Sequence, residues 1–504
     1  MMNESTPVVL GIDVGTGSTK GVLVTETGRI CASATREHEV SRPRSGHVEM
    51  AAEVWWEELR SITAELLTAA GDTHVQAIGL SGMGPCVLLA DQHGTPVRPA
   101  ILYGVDTRAG EQIDRITTEI GEEEILARCG SVLTSQAAGP KIAWVRDTEP
   151  GIYERAQQFL MPASFLAQRL TGEYVLDHHS ASQSTPLYDT EKLDWHDPWW
   201  QQVAQGIEKP RLTWPGDVAG VVTERAASEI PGITPGTPVI TGTIDAWNEA
   251  ISVDAQNPGD LMLMYGTTLF LIATASRRST SRTMWGTVGA FPGTYNLAGG
   301  MATSGAITTW LRDIVGGIDY SRLLAEAENS GPGAGGLLML PYFAGERTPI
   351  QDPDARGILI GLTLDHTRGD LYRAALEATA LGVRHNVEQF NAAGIGIDRV
   401  VAAGGGTQGG LWPRIVTDVT GLEQAVPTVH IGASYGAAAL AARHAPDIGG
   451  GSPIDVAAWN PPREVLTPDQ HVRSLYDDLY GHYLELYERT KETAHHLAAF
   501  QRRR

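Results

Sequence analysis

A mixed α/β protein of at least two domains is what this chain predicts, and three observations carry that expectation. Its 504 residues exceed what one hydrophobic core usually serves. Its opening alternates apolar strands with a long amphipathic helix. A pattern of strand, glycine turn and strand seen at the start returns past the midpoint. Hydrophobic residues at 42% and charged residues at 19% agree with an ordinary globular enzyme rather than a disordered or fibrous chain.

Taken in order, VVLGIDV reads as a buried strand and GVLV as the start of a second, with a glycine turn between them. ETGRICASATREHEV supplies a turn at Thr27-Gly28 and a third strand. EVWWEELRSITAELLTAA then places Val54, Leu59, Ile62, Leu66 and Leu67 on one helical face. VQAIGLSG returns to a strand, and CVLLADQHGTPVRPAIL predicts a hairpin turning at His93-Gly94. In the second half, PGDLMLMYGTTLFLIATA gives two strands around Gly266-Thr267-Thr268. DRVVAAGGG ends a strand on three glycines ahead of the helical GLWPRIVTDVTG. The join is expected near Val253 to Pro258, which divides the chain into 1–255 and 256–504. At the far end, Thr467-Pro468-Asp469-Gln470 has the order of an N-cap, a first-turn proline and a capping-box glutamine. It predicts a terminal helix with Val472, Leu475, Leu479, Tyr483 and Leu486 on its apolar face.

Charge and composition exclude several roles. A formal charge of -21 argues against nucleic acid and anionic membranes as partners, so any phosphate must be held locally. MMNESTP carries no basic segment followed by an apolar one, so no secretory signal is expected. LMLMYGTTLFLIATA is too short and too interrupted to span a bilayer. Cys31, Cys86 and Cys129 have no metal-ligand spacing and read as reduced thiols of a cytoplasmic protein.

The glycine turns carry the chemistry. A turn of Gly15, Thr16, Gly17, Ser18 and Thr19 exposes consecutive N–H groups and hydroxyls, a concavity suited to phosphate oxygens, and Lys20 adds a positive charge. No Walker A spacing occurs. Asp13, just before the turn, suits a hydrated Mg2+ that bridges phosphates. The plain alternative is a hairpin with an Asx turn. Gly266-Thr267-Thr268 offers a second such turn and Gly404-Gly405-Gly406-Thr407 a third, in a chain whose 57 glycines exceed the roughly 7% average share. Asp245, in GTIDAWNEA, follows a strand and precedes a helix. It is placed to serve as general base for a substrate hydroxyl, or else as a helix N-cap.

These residues, in this order, resemble the FGGY family of carbohydrate kinases nearly end to end. Asp13-x-Gly15-Thr16-x-Ser18-x-Lys20 resembles the family's first phosphate motif, and PVITGTIDAWNEA its second. GLSG at Gly79 to Gly82 and Asp106-Thr107-Arg108-Ala109 resemble sugar-pocket segments. GERTPIQDPDARGILIGLTLDHTRGDLYRAALEATALGV resembles the long family signature, and GGGTQGGLWPRIVTDVTG with GASYGAAALAA the adenosine-binding end.

The resemblance implies two ribonuclease H-like domains of the actin and hexokinase superfamily, with sugar and ATP in the cleft between them. Gly15, Thr16, Ser18 and Lys20 would then lie at the ATP phosphates and Asp13 on the Mg2+ side. Asp245 would take the sugar hydroxyl's proton. Gly266, Thr267, Gly404, Gly405, Gly406 and Thr407 would hold phosphates and adenosine, and Met83, Gly84, Asp106 and Arg108 would line the sugar pocket. The implied reaction is transfer of the γ-phosphate of ATP to a small ketose or polyol, with a pentulose such as D-xylulose as the best single substrate. A homodimer is among the expected assemblies. A kinase for another polyol or keto-sugar, or a sugar- or ATP-sensing protein of the same fold, is the alternative.

The sequence departs from the family at one place. Met83-Gly84-Pro85-Cys86 stands where xylulose kinases typically read Gln-Met-His-Gly and glycerol kinases an Arg-Glu pair, so polar pocket residues are missing. A less discriminating site is the expected consequence. Trp195, Trp199 and Trp200 in LDWHDPWWQQV have the spacing of core packing rather than of a sugar platform.

Overall fold

In the computed structural model, which describes residues 5–502, strand Thr6–Val14 pairs antiparallel with Ser18–Val24, and that strand with Ile30–Glu37. The other edge of Thr6–Val14 takes Thr73–Gly82 in parallel, followed by Pro238–Ile240, again parallel, and Val218–Val221, antiparallel. Helix Ala52–Ala70 makes the crossover to Thr73–Gly82. It buries Trp55, Leu59, Ile62 and Leu66, the spacing that keeps apolar side chains on one face.

The second half repeats the plan. Asp260–Tyr265, Leu269–Ala275 and Tyr295–Met301 form the antiparallel meander, and Arg399–Ala403 and Gln424–Pro427 add on in parallel. Trp285–Val288 and Pro462–Leu466 close the two edges of this seven-stranded sheet. Its crossover helix is Arg368–Ala392, with a capping box between Thr367 and Asp370.

The first sheet ends at Thr243–Ile244 and the second begins at Asp260. One helix, Ala433–Ala442, crosses back from the C-terminal half and lies against the N-terminal sheet. Its ten residues are all buried, and six of them are alanine. It can lie so close because Gly11 and Gly79 face it. A Cβ on either would overlap the backbone oxygens of Ser434 and Ala437. Val9, Val22, Trp247, Met262, Ile272 and Tyr435 share one apolar cluster with this helix, so the two lobes join through a packed core.

Two local expectations change. The terminal helix runs Arg473–Gln501, so Thr467-Pro468-Asp469-Gln470 precedes it. The Asp469 N–H donates to the Asp418 carboxylate at 2.9 Å rather than to a Thr467 cap, and the helix begins after Val472 with no side-chain cap. The buried stripe is Tyr476, Tyr480, Tyr483 and Tyr487, while Leu475 is exposed. The hairpin at Gly94 forms as expected, with Val97 N–H on the Leu89 carbonyl at 3.0 Å and Val87 and Ile101 exchanging backbone bonds at 2.8 and 2.9 Å, and its strand Leu88–Ala90 also pairs with Gln158–Leu160 outside the main sheet. Trp195, Trp199 and Trp200 are core residues.

Candidate active site

The first glycine turn is held by its carbonyls. Gly15 N–H donates to the Ser18 oxygen at 2.9 Å, while the Gly15 and Gly17 carbonyls take the His38 Nε2 and backbone N–H at 3.1 Å each. Among the described residues the N–H groups of Thr16 and Gly17 have no hydrogen-bond partner. The second turn repeats this. The Gly266 and Thr267 carbonyls accept the N–H groups of Gly305, Ser304 and Ala306, and the Thr267 and Thr268 N–H groups are unpartnered. Two turns with occupied acceptors and free donors are anion concavities built the same way twice.

Asp13 sits on the strand before the first turn. It accepts from Ser81 Oγ at 2.8 Å and pairs in register with Lys20 across the hairpin. Burial pushes its carboxyl above the usual range, and Ser81 and Lys20 pull it back. Asp245 is the first residue of helix Asp245–Ser252, whose N-cap is Ile244, so the N-cap alternative does not describe it. Its Oδ1 accepts the Ala246 N–H at 2.7 Å. Burial first, and the Asp13 charge second, push it up to about 7. Glu249, one helical turn on, is also pushed up to about 7 by burial and Asp13. The sequence held that signal in the i,i+4 spacing of Asp245 and Glu249, which puts both on one helix face.

Asp245 and Gly84 line a cavity of about 380 Å³ whose walls come from both lobes. Tyr103, Gln136, His179 and Gln183 face it from the N-terminal lobe, and Thr268, Trp285, Asn296 and Arg347 from the C-terminal one. Tyr103 ties the cavity to the first turn, since its hydroxyl bonds Thr16 Oγ1 at 3.0 Å. Thr268 ties it to the second. His179 Nδ1 donates to the Val288 carbonyl at 2.7 Å, and its Nε2 meets the Gln183 amide at 3.0 Å. Asn296 Oδ1 and Thr287 Oγ1 are buried on the cavity wall without a partner. Unsatisfied buried acceptors of this kind mark where a hydroxylated ligand would bond.

The structure does not bring Met83, Asp106 or Arg108 to that cavity. Met83 is buried, its N–H on the Val14 carbonyl at 2.7 Å. Asp106 and Arg108 are buried against each other, with Arg108 Nη2 on Asp106 Oδ2 at 2.7 Å. Val48 N–H completes the Asp106 carboxylate at 2.6 Å, and Glu49 takes Arg108 Nη1 at 2.6 Å. This network braces the Tyr103–Val105 strip from behind. Lys141, buried with its Nζ on the Leu102, Tyr103 and Ser135 carbonyls, clamps the same strip. The polar groups on the cavity wall come instead from Gln136, His179, Gln183 and Asn296.

Gly404, Gly405, Gly406 and Thr407 pack against the second turn. Gly404 has φ +84°, and a Cβ there would lie 2.5 Å from the Tyr265 oxygen, next to Gly266. Thr407 is buried and closes its own loop, Oγ1 on the Gly404 carbonyl at 2.8 Å. Beyond them, Leu324, Glu328, Gly409, Gly410 and Arg414 line a separate cavity of about 500 Å³. Gly17, Ser18 and Lys20 line a groove outside the first turn.

Residues 8–251 match the N-terminal domain of the FGGY family of carbohydrate kinases, and residues 261–445 match its C-terminal domain. The crystal structure of xylulose kinase from Rhodospirillum rubrum superposes with a TM-score of 0.89 at 31% identity, covering 97% of this chain and all 100% of that one. Xylulose kinase of Escherichia coli is 28% identical over 440 residues, 86% of this chain and 89% of the relative. Glycerol kinase of Roseiflexus is 27% identical over 452 residues, 85% and 89% of the two chains. The repeated sheet order agrees with the pair of actin- and hexokinase-like domains that the sequence implies.

Proposed function

Because the chain belongs to the FGGY family of carbohydrate kinases, we propose that it transfers the γ-phosphate of ATP to a hydroxyl of a small ketose, with a pentulose such as D-xylulose as acceptor. The observation that carries this reading is Asp245, held at about 7 in a cavity walled by both lobes and flanked by two turns with free N–H groups. A base poised near neutrality is ionised in a large fraction of molecules at working pH and accepts a proton readily. Phosphoryl transfer otherwise needs positioning, donors on the phosphate oxygens and exclusion of water. The free amides of Thr16, Gly17, Thr267 and Thr268 supply the donors, with Lys20 adding charge. Closure of 1–255 against 256–504 supplies the exclusion. The cavity beside Gly409 and Gly410 is sized for the nucleoside, and Gly404 to Thr407 would sit between it and the phosphates.

Asp13, Asp245 and Glu249 fit a divalent cation by chemistry, since hard oxygen donors under a raised pKa gain from a nearby positive charge. Among the described residues no three His, Cys, Asp or Glu side chains form a ready metal cage. Mg2+ keeps several waters and shares phosphate oxygens, so one protein carboxylate is enough to hold it. Asp13 would hold it, and when bound it neutralises charge on the phosphates. No helix among the described residues is long and apolar enough to cross a membrane, and we take the enzyme to work in the cytoplasm.

The test is sugar-dependent ADP release across pentuloses, hexuloses, pentitols, tetritols and glycerol. No rate with any five-carbon sugar or polyol overturns the pentulose assignment. No rate with any acceptor overturns the kinase reading in favour of a binding protein.

The first turn has its own test. A Cβ on Gly15 meets only the Ser18 oxygen, at 3.0 Å, so a side chain there projects into the space where phosphates would lie. Gly15→Val is expected to raise the KM for ATP by about tenfold or more, on the scale of one lost polar contact to a charged group, while the melting temperature holds within a few degrees. Unchanged ATP dependence would make the stretch an ordinary hairpin.

A further inference from the structure

Of the side chains lining the interdomain cavity, Asp245 is the carboxylate and Arg347 the guanidinium, and they stand on opposite lobes. The Arg347 backbone is tightly held. Glu346 Oε1 accepts the N–H groups of Arg347 and Ala302 at 2.7 Å each, and Glu346 and Asp352 exchange backbone bonds at 2.8 and 3.0 Å. On the other side Thr348 Oγ1 accepts the Gly300 N–H at 2.7 Å and donates to Asn386 Oδ1 at 2.6 Å. Gly300 and Ala302 lie at the end of strand Tyr295–Met301, and the next residues, Ser304 to Ala306, are those that hold the Gly266-Thr267 carbonyls. The Arg347 loop is therefore fixed in the same frame as the second phosphate turn.

The guanidinium itself is exposed, and among the described residues it makes no hydrogen bond, ion pair or ring contact. A side chain with a locked backbone and an idle head stabilises nothing in the fold. Its neighbour across the cavity is Tyr103, whose hydroxyl, bonded to Thr16 of the first turn, feels the charges of both Asp245 and Arg347. The point where an acceptor hydroxyl would meet the terminal phosphate thus lies between the Asp245 carboxylate, both glycine turns and Arg347.

We propose that Arg347 is a catalytic residue that donates N–H bonds to the oxygens of the phosphoryl group as it passes between ATP and the sugar. The inference rests on the kinase reading. In the step, the sugar oxygen forms a bond to the γ-phosphorus, and the bond from that phosphorus to the bridging oxygen breaks. The electron pair leaves on the β-phosphate of ADP, and the sugar proton goes to an Asp245 oxygen. A planar guanidinium, with its fork of donors, matches two of the three equatorial oxygens over which charge spreads.

The test is Arg347→Ala and Arg347→Lys in the coupled assay, with KM for both substrates and a thermal melt. Expected is a kcat loss of about 10²–10³-fold for alanine, the usual effect of removing a charge-stabilising donor. Both KM values should stay within about threefold, with an unshifted melt, a smaller loss for lysine and partial rescue of the alanine variant by added guanidinium. A kcat within threefold of the parent overturns the inference and leaves the kinase reading intact. So does a raised sugar KM at unchanged kcat, which would put Arg347 on the sugar. A parent chain with no sugar-dependent ADP release overturns both.

Discussion

Asp245→Asn is expected to lower kcat by about a hundredfold or more, the usual range for loss of a general base. Asparagine keeps the size of the side chain and an oxygen for the Ala246 N–H, so the helix terminus and the cavity shape persist. What it lacks is the ability to take a proton. Sugar and ATP should bind nearly as before. The parent enzyme should show an acid limb in kcat with a midpoint near 7, where Asp245 loses its proton, and the variant should lose that limb. Stability should move the other way. The folded carboxyl holds its proton up to about 7, whereas an unfolded one releases it near the ordinary value of 3.8. Its contribution to stability is therefore present below about 4 and is lost as pH rises through 7. At pH 8 the asparagine variant should melt no lower than the parent. Rates across pH 5.5 to 9 with a melt at pH 8 check both halves, and turnover within threefold of the parent at pH 8 would reduce Asp245 to a helix-terminal residue.

Asp106→Ala is expected to cost about 3–5 kcal/mol of stability, the range for removing one partner of a buried pair. Both carboxylate oxygens are occupied: Oδ1 by the Arg108 backbone and Nε, Oδ2 by Val48 N–H and Arg108 Nη2. The alanine leaves a fully buried guanidinium short of its main counter-charge and a buried N–H without an acceptor. The urea midpoint should fall, and whatever fraction stays folded should keep its sugar KM within a few fold. A variant of normal stability with a strongly raised sugar KM would put Asp106 back on the substrate, as its motif alone implies.

The two substitutions mark what the sequence can and cannot carry. The glycine turns were legible because their chemistry is local: a handful of adjacent residues decides where carbonyls and amides point. Asp245 was legible by its place between strand and helix, and Glu249 lay open to the same reasoning through its i,i+4 spacing. Asp106 and Arg108 are ambiguous in the sequence for a physical reason. A carboxylate and a guanidinium two residues apart look the same in a string whether they meet a ligand or one another, and only Val48 and Glu49, brought in by tertiary contact, decide it. The cavity wall draws Gln136, Gln183, Asn296 and Arg347 from segments far apart in the chain. The terminal helix failed at its boundary, since Asp418 competes for the Asp469 N–H, and a contact across 51 residues cannot be read from a capping pattern.

The helix Ala433–Ala442 bears on how the molecule is made. It completes the packing of a sheet whose own strands end at Ile244, yet it belongs to a segment nearly two hundred residues later. A ribosome adding about 5–20 residues per second would release the last strand of that sheet roughly 10–40 s before the helix that covers it. Through that interval Gly11 and Gly79 present a shallow, side-chain-free furrow flanked by apolar strands. One face of that sheet therefore stays uncovered until the C-terminal half is almost finished, while the other face already has a core of its own against helix Ala52–Ala70.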